Sequence, residues 1–185
     1  MLVLASRSPR RQEILARAGI AFRAVPADVD EGARAGESPE EHVVRLACAK
    51  ATAVPCNAGE VVLGADTVVV VGGEMLAKPA DSAEAARMLR KLSGREHCVL
   101  TGICLRRHGE FRVDVEVTRV RFAALSEREI ADYVASGEPM DKAGAYAIQG
   151  LASKFIERIE GCYFNVVGLP VALVYRRLKE MGALP

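Results

Sequence analysis

The sequence predicts a mixed α/β domain built on one long sheet with helices on its flanks. Three observations carry this. Helix-start signals recur along the chain, β-branched apolar runs lie between them, and glycine-containing turns join some of those runs as hairpins, which excludes an all-parallel sheet.

The elements follow in order. Leu2 to Ala5 is a short apolar strand. Ser8 then stands as an N-cap before Pro9, a residue suited to the first helical position because its missing N–H would be unpaired there anyway. Ser38-Pro39-Glu40-Glu41 is a capping box that opens a helix reaching Ala53. Val61 to Leu63 and Thr67 to Val71 read as strands on either side of Gly64-Ala65-Asp66. Gly72-Gly73 turns the chain into Met75 to Ala77. The capping device repeats at Asp81 to Glu84 and at Ser126 to Glu129, with Gly94 and Gly137 as terminators.

Cys98 to Arg107 and Phe111 to Phe122 form a long hairpin across Arg107-His108-Gly109. In its second arm Phe111, Val113, Val115 and Val117 alternate with Arg112, Asp114, Glu116 and Thr118. The apolar row is expected inside and the polar row outside. Phe155 to Ile159 is a further strand, leading through Glu160-Gly161 to a partner at Tyr163 to Val167. A last helix runs from Pro170 to Met181 with Val171, Leu173, Val174 and Leu178 on its apolar side.

The 185 residues fit one domain, 1–185. With 25 Lys and Arg against 24 Asp and Glu there is no basic field for nucleic acid, so any anion site must be local. The five cysteines have no CxxC spacing, and with His42, His97 and His108 they make no zinc pattern; they are expected to be reduced and mostly buried. The most apolar stretch, Val61 to Val71, is too short to span a bilayer, and no leader pattern is present. A soluble, cytoplasmic protein is expected.

Four stretches carry candidate chemistry. Arg10 and Arg11 lie in the first turn behind Ser8, where cations oppose the helix dipole by about 0.3–1 kcal/mol each. A bound phosphate would offset that cost, since helix starts and guanidinium forks both suit phosphate oxygens; a capped helix with solvated arginines is the other reading. Asp66 interrupts an apolar run and is either hydrated at a bend or holding a cation, with Gly64 and Ala65 leaving room for a ligand near the backbone.

Lys50 sits on the helical period of Leu46 and Ala53, near an apolar side, and either snorkels to water or serves a site; Lys78 precedes Pro79 after a short strand. Asp28, Asp30 and Glu31 lie in a loop, where the plain reading is solvation. In "DKAGAYAIQG", residues 141 to 150, small residues permit approach of a flat ligand, and the Gln149 amide offers a donor and an acceptor to a base edge. By itself this loop also reads as a surface turn. Together these parts suit a phosphate ester. Neither GxGxxG nor GxxxxGK[ST] occurs, and no Ser-His-Asp series or cysteine nucleophile competes.

Seven ordered blocks, "LASRSPRR", "VVRLACAKA", "LGADTVV", "LAKP", "MLRKLSG", "DKAGAYAIQG" and "IERIEGCYFNVVGLP", resemble the Maf family of nucleoside triphosphate pyrophosphatases over nearly the whole chain. The resemblance implies a fold like inosine triphosphatase: a long bent sheet, two lobes around a cleft, and a homodimer. Arg10, Thr67 and Gln149 resemble the branch that hydrolyses dTTP and UTP to the monophosphate and pyrophosphate. By the same resemblance Asp66 is the general base or metal-bound acid, and Glu31 assists it in holding Mg²⁺ or Mn²⁺. Ser8, Arg11, Lys50 and Lys78 hold the triphosphate.

Arg7 departs from the family pattern, in which a small residue is common between the serines, and Cys48 and Cys162 stand where polar residues are typical. The family's association with septum formation keeps a second class open, a nucleotide-binding regulator of cell division that acts through a partner. A nucleic-acid-binding role is disfavoured by the neutral charge and the absence of tryptophan.

Overall fold

Strand β1 (Leu2–Leu4) runs into helix α1 (Pro9–Arg17) through the predicted cap, with the Ser8 hydroxyl accepting from the Arg11 N–H. The computed structural model describes residues 1–184. Strand β2 (Phe22–Ala24) follows; at three residues it carried no periodic signal. Helix α2 (Pro39–Ala53) opens with the expected capping box, Ser38 and Glu41 each satisfying the other's backbone N–H.

Strand β3 spans Val61–Val71 without a break, so Gly64-Ala65-Asp66 is strand and not a bend. The Gly72-Gly73 turn has φ 57° and 83° and leads to β4 (Glu74–Leu76). Helix α3 (Ser82–Leu92) is capped by Asp81, and strands β5 (Glu96–Arg107) and β6 (Glu110–Phe122) meet at His108-Gly109, φ 47° and 85°. Helix α4 (Glu127–Ala135), three short 3-10 turns between Glu138 and Phe155, β7 (Ile156–Glu160), α5 (Tyr163–Val167) and α6 (Val171–Glu180) complete the chain.

Among the described residues seven strands form one mixed sheet in the order β2-β1-β3-β5-β6-β7, with β4 on β3. Strand β1 is parallel to both neighbours, Leu2 standing opposite Phe22 and Val61, whereas β4 and β7 join antiparallel. The expected mixed α/β class with flanking helices therefore holds. Two compact units share the chain: Met1–Thr67, Thr101–Glu116 and Gly168–Pro185 make the first, Val68–Leu100 and Val117–Val167 the second. No helix among the described residues is long and apolar enough to cross a membrane.

The first unit seats α2 directly on the sheet. A Cβ at Gly64 would lie 2.0 Å from the Ala47 carbonyl oxygen, and one at Gly102 on neighbouring β5 would lie 2.5 Å from that of Val43. Two adjacent strands thus present bare backbone to one helix, and Ala47 and Ala51 close the contact with Val3, Val62 and Cys104. The room left by Gly64 is filled by α2 and not by a ligand.

The second unit packs α3 and α4 on a core that includes Val69, Leu89, Val99, Phe122, Tyr146 and Phe155. His97, Phe122 and Tyr146 stack edge to face with centroids 4.9–5.4 Å apart. His97 is 2% exposed; Nε2 meets the Tyr146 hydroxyl at 2.8 Å and Nδ1 has no hydrogen-bond partner. Burial pulls its pKa down to about 4.

The unfolded chain therefore takes up this proton below pH ~6.5 while the folded chain takes it up only near pH 4. Stability is fully present above pH ~6.5 and falls as pH drops through that window, by on the order of 3 kcal/mol. Urea unfolding at pH 7.5 and pH 4.5 checks this. The His97→Gln variant should lose less stability on acidification than the parent; an equal loss in both removes His97 as the source.

Three sequence expectations change. In β6 the alternation is present but its faces are reversed: Phe111, Val113 and Val117 are 44%, 39% and 44% exposed, while Thr118, Val120 and Phe122 are buried. Alternation shows that two faces differ without saying which one meets the core. In the first unit Arg177 of α6 reaches across to the Asp114 carboxylate, with Nε donating at 2.8 Å, so Asp114 is half-buried there while Arg112 stays exposed. Tyr163–Val167 is a helical turn and not a strand, following Gly161 at φ 126°, whose Cβ would meet the Thr118 hydroxyl at 2.9 Å. All five cysteines are free thiols, and only Cys104 is fully buried.

Candidate active site

Seating α2 on Gly64 puts Lys50, between Ala49 and Ala51, beside Asp66 two residues along β3. The Lys50 ammonium donates to Asp66 Oδ1 at 2.7 Å and also reaches Glu31 Oε1 at 2.6 Å. Lys50 is 7% and Asp66 9% exposed, so Lys50 does not snorkel and Asp66 is not hydrated at a bend. An unpaired charge at either position would be costly to bury, and the pair offsets much of that cost.

Glu31 reaches the ammonium because its loop is tied to α2. The Glu37 carboxylate accepts from Arg45 Nη2 at 2.8 Å and meets His42 Nδ1 at 3.1 Å, and Arg45 Nη2 also donates to the Gly32 carbonyl at 2.9 Å. Arg45 holds the Glu37 carboxyl well below the usual carboxylate range. Neither Glu37 nor Arg45 stood out in the sequence. The available signal was a carboxylate just before the Ser38 cap with His42 and Arg45 following one turn apart.

Arg11 braces the strand segment that carries Asp66. Its guanidinium, 8% exposed, donates from Nη1 to the Ala65 carbonyl at 2.8 Å and from Nη2 to the Thr67 hydroxyl at 3.0 Å, the residues on either side of Asp66. Nε donates to the Gly168 carbonyl at 2.8 Å, and a longer contact of 3.5 Å reaches the Ser6 hydroxyl. Burial lowers the Arg11 pKa and the charge of Asp66 opposes that shift. The resemblance assigns Arg11 to the triphosphate; the structure spends these N–H groups on protein oxygens.

The Arg11→Lys variant separates the two roles. It keeps the charge but not the fork, so a brace predicts a loss of stability of about 2 kcal/mol. A ligand-only role predicts an unchanged melting temperature with a raised KM. Thermal melts followed by circular dichroism distinguish them.

The remaining candidates are placed as follows. Ser8 is half-buried, and its hydroxyl is engaged as the α1 cap at 3.4 Å from the Arg11 N–H. Arg10 is half-buried in the first turn of α1. Thr67, besides accepting from Arg11, pairs with the Thr101 hydroxyl at 2.9 Å. Asp66, Lys50, Glu31, Arg11, Ser8, Arg10 and Thr67 all belong to the first unit; Lys78 and Gln149 belong to the second, and both are exposed.

The small residues of "DKAGAYAIQG" admit protein and not a flat ligand. A Cβ at Gly144 would meet the Val69 side chain at 2.8 Å, and one at Gly150 the Glu138 carboxylate at 2.3 Å.

The site holds two carboxylates and one ammonium within hydrogen-bond reach, with a guanidinium on the neighbouring residues. Among the described residues no group of three or more His, Cys, Asp and Glu is arranged to hold a metal ion. Asp66 and Glu31 are the carboxylates that could serve a cation, and in this structure both face the Lys50 ammonium. The arrangement suits charge neutralisation on an anionic substrate together with proton transfer to a carboxylate.

A family model described as Maf-like protein matches residues 1–181. The chain is 53% identical over 184 residues to the dTTP/UTP pyrophosphatase of Koribacter versatilis (strain Ellin345), covering 99% of this chain and 95% of that protein. It is 56% identical over 182 residues to the dTTP/UTP pyrophosphatase of Symbiobacterium thermophilum, covering 98% and 94%. The structure of the Staphylococcus aureus Ham1 protein matches with TM-score 0.55 at 17% identity, covering 97% of this chain and 98% of that one, a likeness of fold alone.

Proposed function

The chain belongs to the Maf family, and on that premise we propose that it hydrolyses dTTP and UTP to the monophosphate and pyrophosphate. The observation that carries the reading is the buried Lys50 ammonium bridging Asp66 and Glu31 beside the Arg11 brace. Names borne by relatives above 50% identity over nearly full length support it.

In this reading water attacks the α-phosphorus in line as the bond to the α–β bridging oxygen breaks. Pyrophosphate leaves and the Asp66 carboxylate takes the proton of the attacking water. Lys50 has three donors, two of them on Asp66 and Glu31, which leaves one for a phosphate oxygen. Arg11 keeps Asp66 aimed by holding both neighbouring residues. Asp66 and Glu31 would hold Mg²⁺ or Mn²⁺, which would supply further charge neutralisation when bound.

The family resemblance assigns Ser8 and Lys78 to the triphosphate, and Arg10, Thr67 and Gln149 to substrate choice. Uracil and thymine share an imide N–H between two carbonyls, so one amide accepts both. Cytosine presents an acceptor nitrogen and an amino donor instead, a mismatch of about 1–3 kcal/mol. A homodimer in the cytoplasm belongs to the same proposal.

The test is pyrophosphate release from a panel of dTTP, UTP, CTP, dATP and GTP with Mg²⁺ and with Mn²⁺. Release confined to dTTP and UTP supports the reading. Nucleotide binding with no release from any of them overturns it and favours a regulator acting through a partner.

A further inference from the structure

We propose that Tyr133 and Glu138 form a latch that fixes the turn bearing Gln149 and thereby sets base selectivity; both are positioning residues, and the proposal rests on the reading of Gln149 as the base-contacting amide. The latch is a closed circuit of hydrogen bonds within the second unit. The Tyr133 hydroxyl accepts from the Ala147 N–H at 3.2 Å and donates to Glu138 Oε1 at 2.8 Å. The other carboxylate oxygen, Glu138 Oε2, accepts from the Leu151 N–H at 3.0 Å. Ala147 and Leu151 stand two residues before and two residues after Gln149.

Inside that arc the Gly150 N–H donates to the Ala147 carbonyl at 3.1 Å, which closes a β-turn with Ile148 and Gln149 at its two central positions. Ala147 and Ile148 are buried while Gln149 is exposed. The turn therefore presents one amide side chain from a backbone held at both ends by the same pair of residues. The Gly150 backbone lies against Glu138 so closely that a Cβ would come within 2.3–2.5 Å of its carboxyl atoms.

Tyr133 is itself 3% exposed and packs edge-on against Phe155 at 5.7 Å. Before the turn, Tyr146 is held by His97, and the Gly144 N–H donates to the carbonyl of Ala77, the neighbour of Lys78. An exposed turn needs no such clamp to be a connection. An amide that must tell one donor–acceptor pattern from another does, because discrimination by hydrogen bonds fails once the reader swings freely. Fixing the turn before substrate arrives removes the ordering cost from binding.

The test compares Tyr133→Phe, Glu138→Gln and the double variant with the parent chain, measuring kcat and KM for UTP, dTTP and CTP by pyrophosphate release, and melting temperature by circular dichroism. Glu138→Gln keeps the shape but leaves one oxygen where two accept, and Tyr133→Phe removes the hydroxyl alone. Each single variant is expected to raise KM for UTP and dTTP about tenfold. kcat should stay within about twofold, and the UTP-over-CTP ratio of kcat/KM should fall about tenfold. The double variant should be no worse than the poorer single one, since either change opens the same circuit.

A lower melting temperature with unchanged selectivity would make Tyr133 and Glu138 structural only and overturn the proposal, as would additive losses. Should Tyr133→Phe not fold, the half-buried Glu138→Gln carries the test alone. Failure of the underlying reading looks different: the parent chain itself releases no pyrophosphate, or Gln149→Ala leaves its base ranking intact.

Discussion

Asp66→Asn is expected to lower pyrophosphate release by about a thousandfold while nucleotide affinity changes by no more than a few-fold. Loss of a positioned proton acceptor removes about 10²–10⁴ in rate, and here the same carboxylate is also proposed to hold the cation, so a loss of at least about 10³ is expected. Asparagine suits the experiment because its Oδ1 can still accept from Lys50 and its shape fills the same space. Lys50 also retains Glu31 at 2.6 Å, so the ammonium is not stranded in the interior. Turnover of dTTP, direct nucleotide binding and the melting temperature should be measured on one preparation. A variant that folds and turns over at the parent rate removes Asp66 from the chemistry; one that loses affinity and folding together shows a structural carboxylate.

Gly64→Ala is expected to cost more stability than any other single methyl addition in the first unit. The added carbon would sit 2.0 Å from the Ala47 carbonyl oxygen and 2.7 Å from the Ala51 nitrogen, both backbone atoms of α2, so no side chain can turn aside to relieve it. Overpacking of this kind costs typically about 1–3 kcal/mol and more where backbone meets backbone, so about 3 kcal/mol or more is expected. Strand geometry is not the difficulty, since Gly64 lies inside a continuous strand and not at positive φ.

Because α2 carries Lys50, a helix pushed away from β3 should also pull the ammonium from Asp66, so activity should fall further than the melting temperature alone explains. The urea midpoint and the residual rate in the same buffer check both parts. An unchanged midpoint would show that helix and strand do not touch at Gly64. Ala substitution at Gly102, where a Cβ would meet the Val43 carbonyl at 2.5 Å, should behave in the same way.

Local chemistry accounts for what was legible beforehand. Ser8, Ser38, Asp81 and Ser126 mark helix starts because each hydroxyl or carboxylate satisfies an N–H three residues on, a bond requiring nothing from the rest of the chain. Gly72-Gly73 and His108-Gly109 mark hairpins for the same reason, since positive φ is a property of the turn itself. Asp66 in an apolar run and Lys50 on an apolar helical stripe each stood out as oddly placed, but nothing in the sequence paired them. Burial of two opposite charges 2.7 Å apart resolves both oddities at once.

Misreadings arose where two distant segments compete for the same space. Gly64 and Gly144 looked like room for a ligand; in the fold that room is taken by α2 and by Val69. The β6 alternation was visible, but only packing of Val120 and Phe122 into the second unit's core, and the approach of Arg177 to Asp114 in the first, tell which side chains are covered.

By itself the sequence determined the helix caps, the turns, the mixed strand-and-helix order and the membership expected from its ordered blocks, all of which depend on neighbours within a few residues or on pattern. Only the tertiary structure decided that Arg11 holds Ala65 and Thr67 rather than facing open solvent, that Lys50 bridges Asp66 and Glu31, and that Tyr133 and Glu138 close on the Gln149 turn. The reason is physical. A guanidinium, an ammonium or a hydroxyl bonds to whatever oxygen packing brings within 3 Å, and packing of segments far apart in the chain is invisible to local pattern.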